Sequence, residues 1–223
     1  MKIRIFLLIA IMIAGLLYCE EDAVAFTLKV KGNVTLTRED NTSKISAGIE
    51  LFNRDILESG EESFAAIKFI DGSSIVKLFP SSILEINAQK KESDLEKKSL
   101  LKMGELWAKV TQQMGTFEIE TPTTVVSVRG TKFLVSVAED GSTTLFAFSG
   151  LLQLSNKLDD NYIDVKAGEK AFSSGEGMIT VEPFQTSDLD EDIREYLEES
   201  SETLRIEVEN ENGDRKTIRI EME

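Results

Sequence analysis

TFEIETPTTVVSVRGTKFLVSVAEDGSTTLFAFSGLLQLSN, residues 116–156, decides the fold. Its apolar residues recur at period two: Phe117 and Ile119, then Phe133, Val135 and Val137, then Phe146 and Phe148. That spacing buries one face of an extended chain, so the stretch reads as successive half-buried strands. Pro122 interrupts the first run, Arg129-Gly130-Thr131 the second, and Asp140-Gly141 stands where a hairpin turn needs positive φ.

The chain on either side continues the pattern. Upstream, Thr27–Lys31 and Val34–Thr37 read as a hairpin turning at Gly32-Asn33, and short strands cut by turn residues fill Gly48 to Gly60. Ala65, Ile67 and Phe69 lead through Asp71-Gly72 into a returning strand from Ser74 to Phe79, which Pro80 ends because it lacks a ladder N–H. Residues 89–99, QKKESDLEKKS, read as a solvated loop. The sheet resumes with Leu101, Met103, Leu106, Ala108 and Val110. Trp107 points to the face opposite Leu106 and Ala108, where it either packs in a second apolar layer or offers an anchor to a partner. Downstream, Tyr162–Val165 and Glu169–Phe172 flank a turn at Lys166-Ala167-Gly168, and Met178–Val181 is the last strand of the series.

From residue 183 the character changes. Ser187 is placed to cap a helix with acids in its first turn, and Leu189, Ile193, Tyr196 and Leu197 form one apolar stripe. Two alternating runs, Leu204 to Val208 and Ile218 to Met222, flank Asn212-Gly213 and read as a hairpin. The expected organisation is a leader over 1–25, an all-β domain over 26–182 and an acidic helix-plus-hairpin tail over 183–223.

The leader carries Lys2 and Arg4, an apolar run from Ile5 to Tyr18, and Ala23-Val24-Ala25 at signal-peptidase spacing. The run is roughly 14 residues against the roughly 20 of a membrane-spanning helix, so it reads as an export signal cut after Ala25. The alternative is a lipobox, Leu16-Leu17-Tyr18-Cys19, with Cys19 acylated. Either places the protein outside a bacterial cytoplasm, in the periplasm or at the cell surface.

Composition narrows the chemistry. Histidine is absent, and Cys19 is the single cysteine. Imidazole general acid–base catalysis, Cys/His nucleophiles and His- or Cys-built metal sites are thereby excluded. Glu118 and Glu120 share one side of a strand, but no second constellation completes a carboxylate enzyme. The acidic pair Asp159-Asp160 and the 188–192 run lack the alternating ligands of a calcium loop. No cofactor and no metal are expected. A formal net charge of −15 repels phosphate backbones and anionic membranes, which excludes nucleic acid as a partner and leaves membrane attachment to a lipid at Cys19.

Several motifs together resemble the FecR domain: Gly48 through Gly60, Asp71-Gly72-Ser73, Gly104-Glu105-Leu106-Trp107, Thr121-Pro122, Val128-Arg129-Gly130-Thr131-Lys132-Phe133 and Ala167-Gly168-Glu169. The resemblance runs from about Gly32 to Phe172 and implies an extracytoplasmic, non-catalytic all-β domain, an antiparallel sandwich or a solenoid-like stack. The best-known members are membrane anti-sigma regulators with an N-terminal cytoplasmic segment; here four residues precede the apolar run, so the sigma-factor role does not carry over. What carries over is recognition: a binding or scaffold module for an envelope protein or polysaccharide or, alternatively, a signal relay acting through a separate membrane partner. The family-motif residues Thr121, Pro122, Arg129, Gly130, Thr131 and Phe133 are then structural or partner-binding. Among apolar neighbours, Arg129 is expected to need a carboxylate or backbone carbonyls, and its removal to cost stability.

Overall fold

The computed structural model describes residues 22–91, 94–111, 115–158, 162–200, 204–209 and 215–220. The leader through residue 21, with Cys19, lies outside the described residues, as do Asp159-Asp160, Asn212-Gly213 and Met222. The chain divides into two compact units at Glu182/Pro183.

The first unit is an all-β sandwich of two sheets. Sheet I runs Glu50–Leu51, Ala25–Lys31, Phe64–Phe69, Ser74–Leu78, the second half of Asp94–Val110, Lys132–Val137, Thr143–Ser149 and Glu169–Ser173. Sheet II runs Asn41–Lys44, Val34–Arg38, Ile56–Ser59, Ile83–Glu85, the first half of Asp94–Val110, Phe117–Glu120, Thr124–Val128, Leu151–Asn156 and Tyr162–Lys166. These pairings are antiparallel except one: Lys97–Leu100 lies parallel to Phe117–Glu120. The long strand crosses from sheet II to sheet I, and the chain then returns beside its own first half, one solenoid-like coil inside an antiparallel sandwich.

Alternation explains the core. Leu106, Ala108, Phe133, Val135 and Leu145 of sheet I meet Leu84, Leu101, Phe117, Val126 and Leu154 of sheet II in one buried cluster. Phe117 of sheet II stands edge-on to Phe69 and Phe133 of sheet I, with centroids 6.1 and 6.3 Å away. Each such pair contributes about 1 kcal/mol beyond its buried area.

The chain repeatedly changes sheet at a crease. The creases fall at Gly32, Glu62, Ser81, Gly104, Gly130, Gly150 and Gly168, all with positive φ. Gly104 has the tightest surroundings: at φ 88°, a Cβ there would lie 2.5 Å from Ser82 Cα and 2.1 Å from its Oγ. Only glycine fits this bend.

Three local expectations change. Thr27–Lys31 and Val34–Thr37 do not pair with each other; the first ladders with Phe64–Phe69 and the second with Ile56–Ser59. Gly32 is a crease, and so is Gly168, because the strands flanking each belong to different sheets. The expected loop over 89–99 instead holds the strand Ala88–Lys91 and the start of Asp94–Val110, with Leu95 and Lys97 buried. The hairpins at Asp71-Gly72 and Asp140-Gly141 form as expected.

The second unit has a 3-10 turn, Thr186–Asp188, a helix, Glu191–Ser200, and the antiparallel pair Leu204–Glu209 and Arg215–Ile220. Ser187 lies within the turn, whose N-cap is Gln185, and the helix begins later than the sequence suggests. Leu189 and Ile193 of the expected stripe are buried. Among the described residues no helix is long and apolar enough to cross a membrane.

Candidate functional site

The motif residues gather at two ends of the sandwich. Thr121, Thr124 and Thr143 are fully buried, and the Thr121 hydroxyl lies 2.8 Å from that of Thr124 and 2.9 Å from that of Thr143. Thr123 Oγ1 donates to the Gly141 carbonyl at 2.8 Å. These bonds fasten the turn after Phe117–Glu120 to the hairpin between Lys132–Val137 and Thr143–Ser149, so Thr121 closes one end of the sandwich. Pro122 projects outward beside it.

At the opposite end lies the Arg129-Gly130-Thr131 crease. Thr131 is 1% exposed, its carbonyl accepts the Val110 N–H at 2.8 Å, and Phe133 beyond it is fully buried. The Thr131 methyl fills the space a side chain at Gly150 would need, 2.6 Å from the ideal Cβ position there. Arg129 turns the other way. It is exposed and forms no hydrogen bond or ion pair with the described residues, contrary to the expectation of a buried guanidinium needing an acid. The reason is its place at the corner: residue 128 ends the inward alternation and residue 129 begins the bend.

Arg129 borders a cleft of about 460 Å³ lined by Thr116, Phe117, Ser127, Val128, Leu151 and Gln153. Ser127 and Gln153 are cross-strand partners on its floor. Gln153 Nε2 donates to Asp164 Oδ1 at 3.3 Å. Leu151 is 45% exposed and forms an apolar wall. One donor-rich cation, a hydroxyl, an amide and apolar sides suit binding a small group and supply no nucleophile–base pair.

Residues 55–153 match the family model described as FecR protein. The chain carries a FecR domain. The match covers fewer than half of the residues and extends no further along the chain than that stretch. Two crystal structures of a "putative anti-sigma factor" from Parabacteroides distasonis ATCC 8503, at 1.65 and 2.50 Å, are similar at 17% and 15% identity, each with a TM-score of 0.49. Each similarity covers 57% of this chain and 59% of that protein, so the chain spans less than two thirds of those structures. No curated protein matches the chain.

Other residues of the FecR domain have structural partners. Asp55, fully buried, accepts Arg38 Nε at 2.8 Å, Arg38 Nη2 at 2.7 Å and the Phe52 N–H at 2.8 Å. This explains why the Gly48–Gly60 motif contains an acid among apolar residues. Glu118 and Glu120 pair with Lys98 and Lys157 at 3.3 and 2.9 Å, which makes them rungs of a surface charge ladder. Among the described residues no acidic cluster could hold a metal ion. Trp107 is 8% exposed, with Lys77 Nζ 4.4 Å from its ring centroid. Burial, and then the charges of Lys109 and Lys29, lower the Lys77 pKa to about 8. The cleft itself was missed in the sequence because its walls come from strands far apart in the chain; the one signal was a lone arginine at a glycine bend.

Proposed function

We propose that the chain is an exported, non-catalytic recognition module of the bacterial cell envelope, which binds a protein of that compartment through the cleft beside Arg129. The observation that carries this reading is the division of one motif: Thr131 is buried, while Arg129 stands exposed at the cleft with no partner among the described residues. Exposed there, its donors are left to water or to an incoming partner. A second reading, a relay that passes the binding event to a separate membrane component, is favoured by the regulatory character of the FecR family.

Export rests on the leader pattern of Lys2, Arg4 and the apolar run that follows. A cut after Ala25 would remove core residues: Val24 donates to the Leu51 carbonyl at 2.8 Å and accepts from Ile70 at 3.0 Å, and Ala25 is fully buried. We therefore place the cut upstream of Val24, as acylation at Cys19 would require.

The test is fractionation of the bacterial host expressing the full chain with a photocrosslinking residue at position 151. Recovery in the exported fraction with a discrete protein adduct, lost on Arg129→Gln, is the expected result. Cytoplasmic retention, or an adduct indifferent to Arg129, contradicts the proposal.

A further inference from the structure

We propose that the cleft beside Arg129 takes a carboxylate on an aliphatic stem, presented as an acidic side chain by an extended segment of the partner protein. The inference rests on the recognition reading above and names its ligand chemistry. The acids on the strands that flank the cleft are already engaged: Glu118, opposite Ser127, with Lys98, and Asp164, opposite Gln153, with that amide. No acid of the described chain saturates Arg129, although Asp and Glu outnumber Lys and Arg by 40 to 25. A planar guanidinium offers two parallel N–H donors that match one carboxylate.

The surroundings select within anions. The Ser127 hydroxyl sits two residues from Arg129 on the same outward side and supplies a further donor, while Leu151, 45% exposed, forms an apolar wall for a methylene stem. A volume of about 460 Å³ admits one side chain and its flanking backbone. The single cation in the cleft belongs to a molecule of net charge −15, whose field opposes multiply charged phosphate. A monoanion with an apolar stem meets both conditions.

The experiment is an amide-resonance titration of the full chain with the peptide Ac-Val-Glu-Val-NH2. Ac-Val-Gln-Val-NH2, sodium glucuronate and inorganic phosphate are run as separate arms. Saturable shifts at Ser127–Gly130 and Leu151–Gln153, at least about 10-fold tighter for the Glu than for the Gln peptide, are expected; a 10-fold ratio corresponds to about 1.4 kcal/mol. Arg129→Gln should abolish the difference with unchanged melting, and Arg129→Lys should restore part of it. Equal binding of both peptides, shifts confined to other residues, or stronger binding of phosphate or glucuronate overturns the proposal. If the peptide fails while the Arg129-dependent crosslink persists, the ligand class falls and the recognition reading stands; if both fail, both fall.

Discussion

Lys97 of sheet II reaches across the interior to Asp71, at the hairpin tip of sheet I. Its ammonium is bonded to the Asp71 carboxylate, lies 3.2 Å from Ser73 Oγ, and is 1% exposed. This pair closes the sandwich at the end away from the Thr121 cluster. Asp71→Ala leaves a buried charge without its partner and should cost about 3 kcal/mol, whereas Asp71→Ala combined with Lys97→Met, which removes both charges and keeps the stem, should be neutral or stabilising. Urea unfolding of the two variants decides it; equal losses would show that the pair itself stabilises the fold.

The creases make a second prediction. Gly104→Ala should destabilise by about 3 kcal/mol, since positive φ and overlap with Ser82 add. Gly72→Ala meets nothing within 4 Å and should lose only about 1 kcal/mol through its φ of 70°. Similar losses at both sites would remove close packing as the reason for glycine at 104.

Thr131 carries a buried hydroxyl with no hydrogen-bond partner among the described residues. Thr131→Val keeps the methyl that packs on Gly150 and removes the unsatisfied group, so it should gain about 1 kcal/mol. A loss in thermal unfolding would mean that the hydroxyl is bonded in solution.

Lys77 should titrate near pH 8. Its folded pKa lies below the unfolded value of about 10.4, so between the two the unfolded chain binds more protons. The penalty for burying the charge is full below pH 8, and stability rises as pH climbs from there toward about 10.4. Lys77→Gln should flatten that rise, and side-chain NMR titration reads the pKa directly. A midpoint near 10.4 would contradict the burial account.

Intact-mass analysis of the exported protein should find its first residue at Val24 or earlier. A start at Phe26 would show that the fold dispenses with the Val24 pairing.

Strands and Asp-Gly hairpins were legible in the sequence because both are local: alternation sets the buried face, and Asp71-Gly72 reverses the chain between neighbours that pair. The creases were not. A glycine between alternating runs has the same local signature whether the chain folds back within a sheet, as expected at Gly32, or passes to the opposite sheet, as it does there. Residues 89–99 misled for a related reason: Lys97 lies on the buried face between Leu95 and Ser99, and only the distant Asp71 makes that burial tolerable. That Arg129 has no partner among the described residues likewise depends on which acids other strands bring near it.

The most direct test of the account is thermal unfolding of Arg129→Gln, measured beside its crosslinking yield from position 151. The melting temperature should lie within about 1 °C of that of the unmodified protein, together with loss of the adduct. A melting temperature lowered by several degrees with the adduct retained would make Arg129 part of the fold and contradict its role in recognition.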